Sequence, residues 1–276
     1  MLKQRTITAL VLAPAGVAVV LLLPTAALAA ITAVMVLIAL WEWARLSGFR
    51  SRPLRSALVA ITALSFVPLW LIRNEPIAWW IIGAGVVWWL VAALWLRHIS
   101  FAAAPTRENA TIKVVAGLFA ILPAWLALAE LHAGSPRGPF WALFALTIVW
   151  AADIAAYFAG SRYGKVKLCP QISPNKTIAG VYGALAGAGS LAVVGGWLFG
   201  LRGLEWIALV VLGLITVFAS IVGDLFESLI KRQANVKDSG TLFPGHGGIF
   251  DRFDSLFAAL PVFAAGKALL ALFFTP

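Results

Sequence analysis

Leu204 to Lys231 reads LEWIALVVLGLITVFASIVGDLFESLIK, and this stretch decides the fold. From Trp206 to Gly223 it carries no charge, which suits a helix in lipid, where about 20 apolar residues cross roughly 30 Å of hydrocarbon. Its last turns become polar. Asp224, Glu227, Ser228 and Lys231 follow an i, i+3, i+4, i+7 pattern and share one helix face. At about 1.5 Å of rise per residue, Asp224 falls close to the end of the span.

The same reading extends to the whole chain. Apolar runs at approximately 6–23, 25–45, 56–73, 76–96, 112–131, 139–160, 178–201, 204–230 and 254–274 predict about nine transmembrane helices. The runs lack the period-2 alternation of barrel strands, and helices satisfy their own backbone groups in lipid. Of 276 residues, 62% are apolar and only 12% charged, against about a quarter charged in a soluble domain. The expectation is therefore an all-α, polytopic integral membrane protein. It forms one domain over 1–276, with 1–110 as scaffold helices and 111–276 as the catalytic helices and loops. No internal repeat is evident, so a repeat-built transporter gains no support.

The net charge of +10 does not point to nucleic acid, because the basic residues sit between apolar runs. Lys3, Arg5, Arg45, Arg50, Arg52, Arg55, Arg97, Arg107, Lys113, Arg162, Lys165, Lys167, Lys176, Lys231, Arg232, Lys237 and Arg252 fall on one side, and only Arg73, Arg137 and Arg202 on the other. The crowded side is expected to be cytoplasmic, with the N-terminus in and the C-terminus out. The run Ile7–Leu23 resembles a signal peptide, but a second span follows at once, so the first helix is expected to be retained. Cys169, the single cysteine, allows no internal disulfide and reads as a packing residue.

Eleven carboxylates exist, few enough to consider one by one. Glu42, Glu75, Glu108, Glu130 and Glu205 lie near run ends or in connections and read as solvated or interfacial charges. Asp153 lies inside the run Phe140–Gly160 and needs a polar cavity or a partner. The remaining acids cluster between Asp224 and Asp254. Lys237-Asp238-Ser239-Gly240 and Pro244-Gly245-His246-Gly247-Gly248 lead to Asp251-Arg252-Phe253-Asp254-Ser255. Acid–base pairing across helix ends is one reading of this cluster. The Gly run favours another, in which backbone approaches a ligand closely.

An oxygen-rich donor set suits a hard cation such as Mg²⁺, bound by one or two carboxylates plus phosphate; whether a second cation joins it is left open. Zinc does not fit, with His246 the lone histidine of the cluster and no CxxC pair. Lysines and arginines among the acids suit phosphate oxygens. Ser173-Pro174-Asn175-Lys176-Thr177 precedes the seventh run, and a helix N-terminus there favours phosphate as well.

The run from Ser228 to Asp254, SLIKRQANVKDSGTLFPGHGGIFDRFD, resembles the signature of the CDP-diacylglycerol synthases, or phosphatidate cytidylyltransferases. Weaker likeness extends over Ala152-Asp153, Tyr157-Phe158, Gly164-Lys165, Lys167-Leu168, Ile172-Ser173-Pro174, Lys176-Thr177 and Gly223-Asp224-Leu225. Ser161-Arg162 and Ala179 depart from the family pattern. The resemblance implies that CTP and phosphatidate give CDP-diacylglycerol and pyrophosphate at the cytoplasmic face of the inner membrane. It implies metal ligation by Asp224 and Asp251, with Asp254 and Asp153 as outer ligands. Lys231, Arg232, Lys237 and Arg252 would neutralise phosphates, Ser173, Lys176, Ser228, Asp238, Gly247 and Gly248 would contact substrate, and His246 would either donate to a substrate phosphate or shape the loop. It also implies a homodimer and no nucleic-acid partner. A CTP-dependent polyprenol or phytol kinase, or an ion or phosphate transporter, stands as the alternative.

Overall fold

The computed structural model of the chain describes residues 14–134, 137–242 and 247–274. Among them, eight helices are long and apolar enough to cross a membrane. These are α2 (Thr25–Leu46), α3 (Arg52–Leu71), α4 (Pro76–Trp95), α5 (Arg107–Ala133), α6 (Gly138–Tyr163), α7 (Ile178–Leu198), α8 (Leu204–Gln233) and α9 (Phe250–Phe274). The expected ninth span is the first run. Its residues 14–22 are helical (α1), and its earlier part, with Lys3 and Arg5, lies outside the described residues.

Three helix starts fall four or five residues before the expected boundaries, each for a local reason; α3 opens at Arg52 with Pro53 in its first turn. α5 begins five residues early because Thr106 caps it, its Oγ1 accepting from the Asn109 amide at 3.2 Å. α9 begins at Phe250 rather than near 254, since side-chain carboxylates meet the amides of Gly248, Ile249 and Phe250. Asp251 is thereby drawn into its first turn.

α5 is the central helix, packed against α2, α4, α6 and α9. Of its most apolar window 72% is buried inside the protein, against 17% for α3, which therefore faces lipid. α6 and α7 meet along small residues: a Cβ added at Gly183 or Gly187 would strike Ala159 or Ala155, the close approach typical of membrane helix pairs. Buried indoles tie the N-terminal helices to the rest, each N–H finding a carbonyl. Trp43 of α2 donates to Lys113 O at 2.7 Å and stacks on Phe250 at 4.7 Å. Trp89 of α4 donates to Phe257 O at 3.0 Å.

Between α6 and α7 the polar segment folds into a feature that helix-length patterns do not reveal. Lys167–Cys169 (β1) and Ser173–Thr177 (β2) form an antiparallel hairpin with an irregular register. Thr177 then caps α7, its Oγ1 accepting from the Gly180 amide at 3.1 Å. The hairpin lies at the same end of the bundle as the C-terminus of α8 and the N-terminus of α9, because Arg232 Nε of α8 donates to Ile172 O at 3.1 Å.

Candidate active site

The site gathers where α6, α8, α9 and the hairpin converge. α8 has 30 residues, so it outruns the hydrocarbon; about 30 Å of helix separates Leu204 from Asp224, which places Asp224 at the membrane rim. Its oxygens are held by the Lys176 ammonium from β2 at 2.5 Å and by Ser228 Oγ at 3.4 Å. Asp153 of α6 is accessible on its helix surface and interacts electrostatically with Asp224, Asp254 and Lys176. Asp254 likewise senses Asp224 and Lys176. Three aspartates from three helices thus lie within electrostatic reach of Lys176, which pairs with Asp224.

Glycine makes this convergence possible. A Cβ on Gly223 would stand 2.5 Å from the Asp254 carbonyl oxygen and 3.0 Å from Ala258 Cβ. α8 and α9 therefore approach almost backbone to backbone beside Asp224.

Behind these aspartates lies a second, more enclosed layer. Lys231 donates to Glu227 Oε2 at 2.9 Å and to Asp251 Oδ1 at 2.8 Å, with Glu227 only 1% exposed. The pair Glu227–Lys231 is the i, i+4 contact expected on this helix face. Asp251 Oδ2 accepts from the amides of Ser239 and Gly248, both at 2.8 Å. Glu227 also meets the Asp254 carboxyl group, so that acids from α8 and α9 lie together in this layer.

Glu42 contradicts the expectation of a solvated or interfacial charge. It is 6% exposed, and its carboxylate accepts from Ser239 Oγ at 2.7 Å, Phe250 N at 2.9 Å and Ile249 N at 3.1 Å. One turn on, Arg45 donates to Ser239 O at 2.5 Å. Glu42, Arg45, Ser239 and Gly240 are the site residues that sequence reasoning left out. The available signal was that Glu42 falls inside the apolar run 25–45, where a carboxylate needs a partner, the same reasoning applied to Asp153.

The other candidates occupy stated places. Ser228 is buried on α8, while Arg232 on the next turn is exposed and tied to the hairpin. Ser173 opens β2. Lys237 and Asp238 are exposed on the loop after α8, and Arg252 is exposed on α9 beside Asp251. Gly247 has φ +81°, and a Cβ there would strike Asp251 Oδ2; Gly248 is buried. His246 lies outside the described residues.

The donor set fits a hard cation. Among the described residues no three His, Cys, Asp or Glu side chains form a ready-made cage, and Mg²⁺ needs none, since it keeps waters and takes one or two carboxylates with substrate phosphates. Lysine ammoniums on Asp224 and Asp251, and the meeting of the Glu227 and Asp254 carboxyl groups, mark an environment built for positive charge. The same lysines suit phosphate oxygens.

Known proteins resemble this chain over nearly its whole length. The sequence profile of the Cytidylyltransferase family matches residues 3–270. The phosphatidate cytidylyltransferase of Pseudomonas aeruginosa is 40% identical over 272 residues, 96% of each chain. That of Haemophilus influenzae is 33% identical, covering 96% of this chain and 98% of its own. That of Bacillus subtilis is 46% identical over 121 residues, 43% of this chain and 44% of its own.

Proposed function

The chain belongs to the cytidylyltransferase family, and from that premise we propose that it is a phosphatidate cytidylyltransferase, joining CTP and phosphatidate into CDP-diacylglycerol and pyrophosphate. The observation that carries the reading is the set of aspartates and lysines drawn together at the rim by α6, α8, α9 and the hairpin. A lipid phosphate oxygen attacks the α-phosphorus of CTP. The new P–O bond forms as the bond to the β-phosphate oxygen breaks, and pyrophosphate leaves.

Phosphomonoesters have a second pKa near 6, so the attacking oxygen is already largely ionised at neutral pH. No dedicated base is required. The barrier lies in bringing two polyanions together in line, which calls for cations and alignment.

Asp224 and Asp251 would hold Mg²⁺, with Asp254 and Asp153 as outer ligands, and the ion would supply neutralisation of the phosphates. Lys176 turns from Asp224 to phosphate oxygens as substrate enters, while Lys231 neutralises phosphate charge from its place beside Glu227 and Asp251. Arg232, Lys237 and Arg252 lie at the polar mouth, where they meet the remaining charge. Ser173, at the start of the hairpin, and Ser228, beside Asp224, offer hydroxyls to the nucleotide.

The proposal places the site at the cytoplasmic face of the inner membrane, with the N-terminus in, because the basic connections lie at that end. Phosphatidate then reaches it from the adjoining leaflet. The division into scaffold helices before residue 110 and catalytic helices after it, and a homodimer, are further parts of the reading.

The test is turnover by the purified protein in mixed micelles with CTP, phosphatidate and Mg²⁺. Equal amounts of CDP-diacylglycerol and pyrophosphate are expected. Release of CDP without pyrophosphate would make it a kinase, and ion flux in proteoliposomes without nucleotide turnover would make it a transporter.

A further inference from the structure

α2 enters the fold as one of the N-terminal helices, yet it ends against the loop that carries Asp251. Glu42 meets both limbs of that loop: Ser239 on the way out from α8, and Ile249–Phe250 on the way into α9. Among the described residues its carboxylate pairs with no lysine or arginine. A buried carboxylate without a counter-ion is costly unless donors surround it. Here the donors are the first amides of α9, where the helix dipole also favours negative charge, together with one hydroxyl.

That hydroxyl is shared. Ser239 Oγ lies 2.7 Å from Glu42 Oε2 and 3.0 Å from Asp251 Oδ2, but it has a single proton to give. The shorter contact assigns the proton to Glu42, and Asp251 keeps the amides of Ser239 and Gly248. Arg45, on the same face of α2, grips the carbonyl of Ser239 from the other side. Ser239 is thus held by α2 at two points and by Asp251 at a third.

The glycines fit this account. A Cβ on Gly240 would strike Glu42 Oε1, and one on Gly248 would strike both Glu42 Oε2 and Ser239 Oγ. Part of the Gly run therefore makes room for Glu42 rather than for a ligand.

The geometry assigns Glu42 as a positioning residue of cytidylyl transfer. From outside the signature, it locks the two limbs of the loop together and sets the orientation of Asp251. This rests on the cytidylyltransferase reading above. Removing a group that orients a ligating carboxylate typically costs about 10- to 100-fold in metal affinity or activity, even when the fold survives.

The experiment compares Glu42→Gln, Glu42→Asp and Ser239→Ala with wild type and with the exposed control Glu75→Gln, all purified in detergent. Elution profile and thermal midpoint report folding, while kcat, KM for CTP and the Mg²⁺ concentration for half-maximal rate report the site. Folded Glu42→Gln is expected to lose about 10- to 100-fold in kcat/KM and to need more Mg²⁺. Glu42→Asp, which keeps the charge but retracts it by one methylene, should fall between it and wild type. A purely structural residue would lower the thermal midpoint and leave kcat, KM and the Mg²⁺ requirement of the folded enzyme unchanged, and that result overturns the assignment. If Glu42→Gln does not fold, Ser239→Ala decides on the same constants. Wild type inert toward CTP and phosphatidate would overturn the underlying reading and this inference with it; active wild type with unaffected variants removes the Glu42 assignment alone.

Discussion

Lys176, on the second strand of the hairpin, holds Asp224 of α8 at 2.5 Å. The contact joins a polar connector to a membrane helix 48 residues later in the chain. It also brings Lys176 within electrostatic reach of Asp153 and Asp254. A hairpin only a few residues long has little other reason to be tied down at both Ile172 and Lys176.

Lys176 and Asp224 have side chains 25% and 30% exposed, and ion pairs open to solvent contribute roughly 0–1 kcal/mol. Lys176→Met should therefore leave the thermal midpoint nearly unchanged while kcat/KM for CTP falls about 10- to 100-fold. Asp224→Asn should abolish measurable turnover. A thermal midpoint that falls together with the activity of Lys176→Met would make the contact a structural one instead.

Lys231 is the opposite case. Its side chain is 14% exposed, and its partners Glu227 and Asp251 are 1% and 6% exposed. Breaking a buried pair leaves a charge uncompensated, at about 3–5 kcal/mol. Lys231→Met should thus lower stability as well as activity. Thermal unfolding in detergent checks this, and an inactive variant of wild-type stability would contradict the inner-layer role.

Gly223→Ala tests the close approach of α8 and α9. Its Cβ would lie 2.5 Å from the Asp254 carbonyl, and overpacking of this kind costs about 1–3 kcal/mol. The variant should lose both stability and turnover although every aspartate remains. Wild-type kinetics would show that the spacing of the two helices is unimportant.

Chelation should abolish turnover, and added Mg²⁺ should restore it. Because no three-residue cage exists among the described residues, helix content by circular dichroism should not change. Unfolding on chelation would reveal a structural rather than a catalytic ion.

The membrane helices were legible because long uncharged runs permit little else in lipid. The polar face of α8 was legible too, since helical spacing alone sets Glu227 beside Lys231. Contacts across the chain were not. Ser239 meets Glu42 from 197 positions away, and no periodicity links a WEW stretch in α2 to a loop before α9. The hairpin escaped for a related reason, its strands of 3 and 5 residues being too short for alternation to register. The early start of α9 followed from Glu42 as well, because its cap comes from another helix.

The most direct measurement follows the two ends of the CTP triphosphate. With CTP labelled at the α-phosphorus, the account predicts that label passes into the lipid phase, while label at the γ-phosphorus stays in water as pyrophosphate. Label from the γ-position in lipid, with the α-label left in soluble CDP, would contradict it.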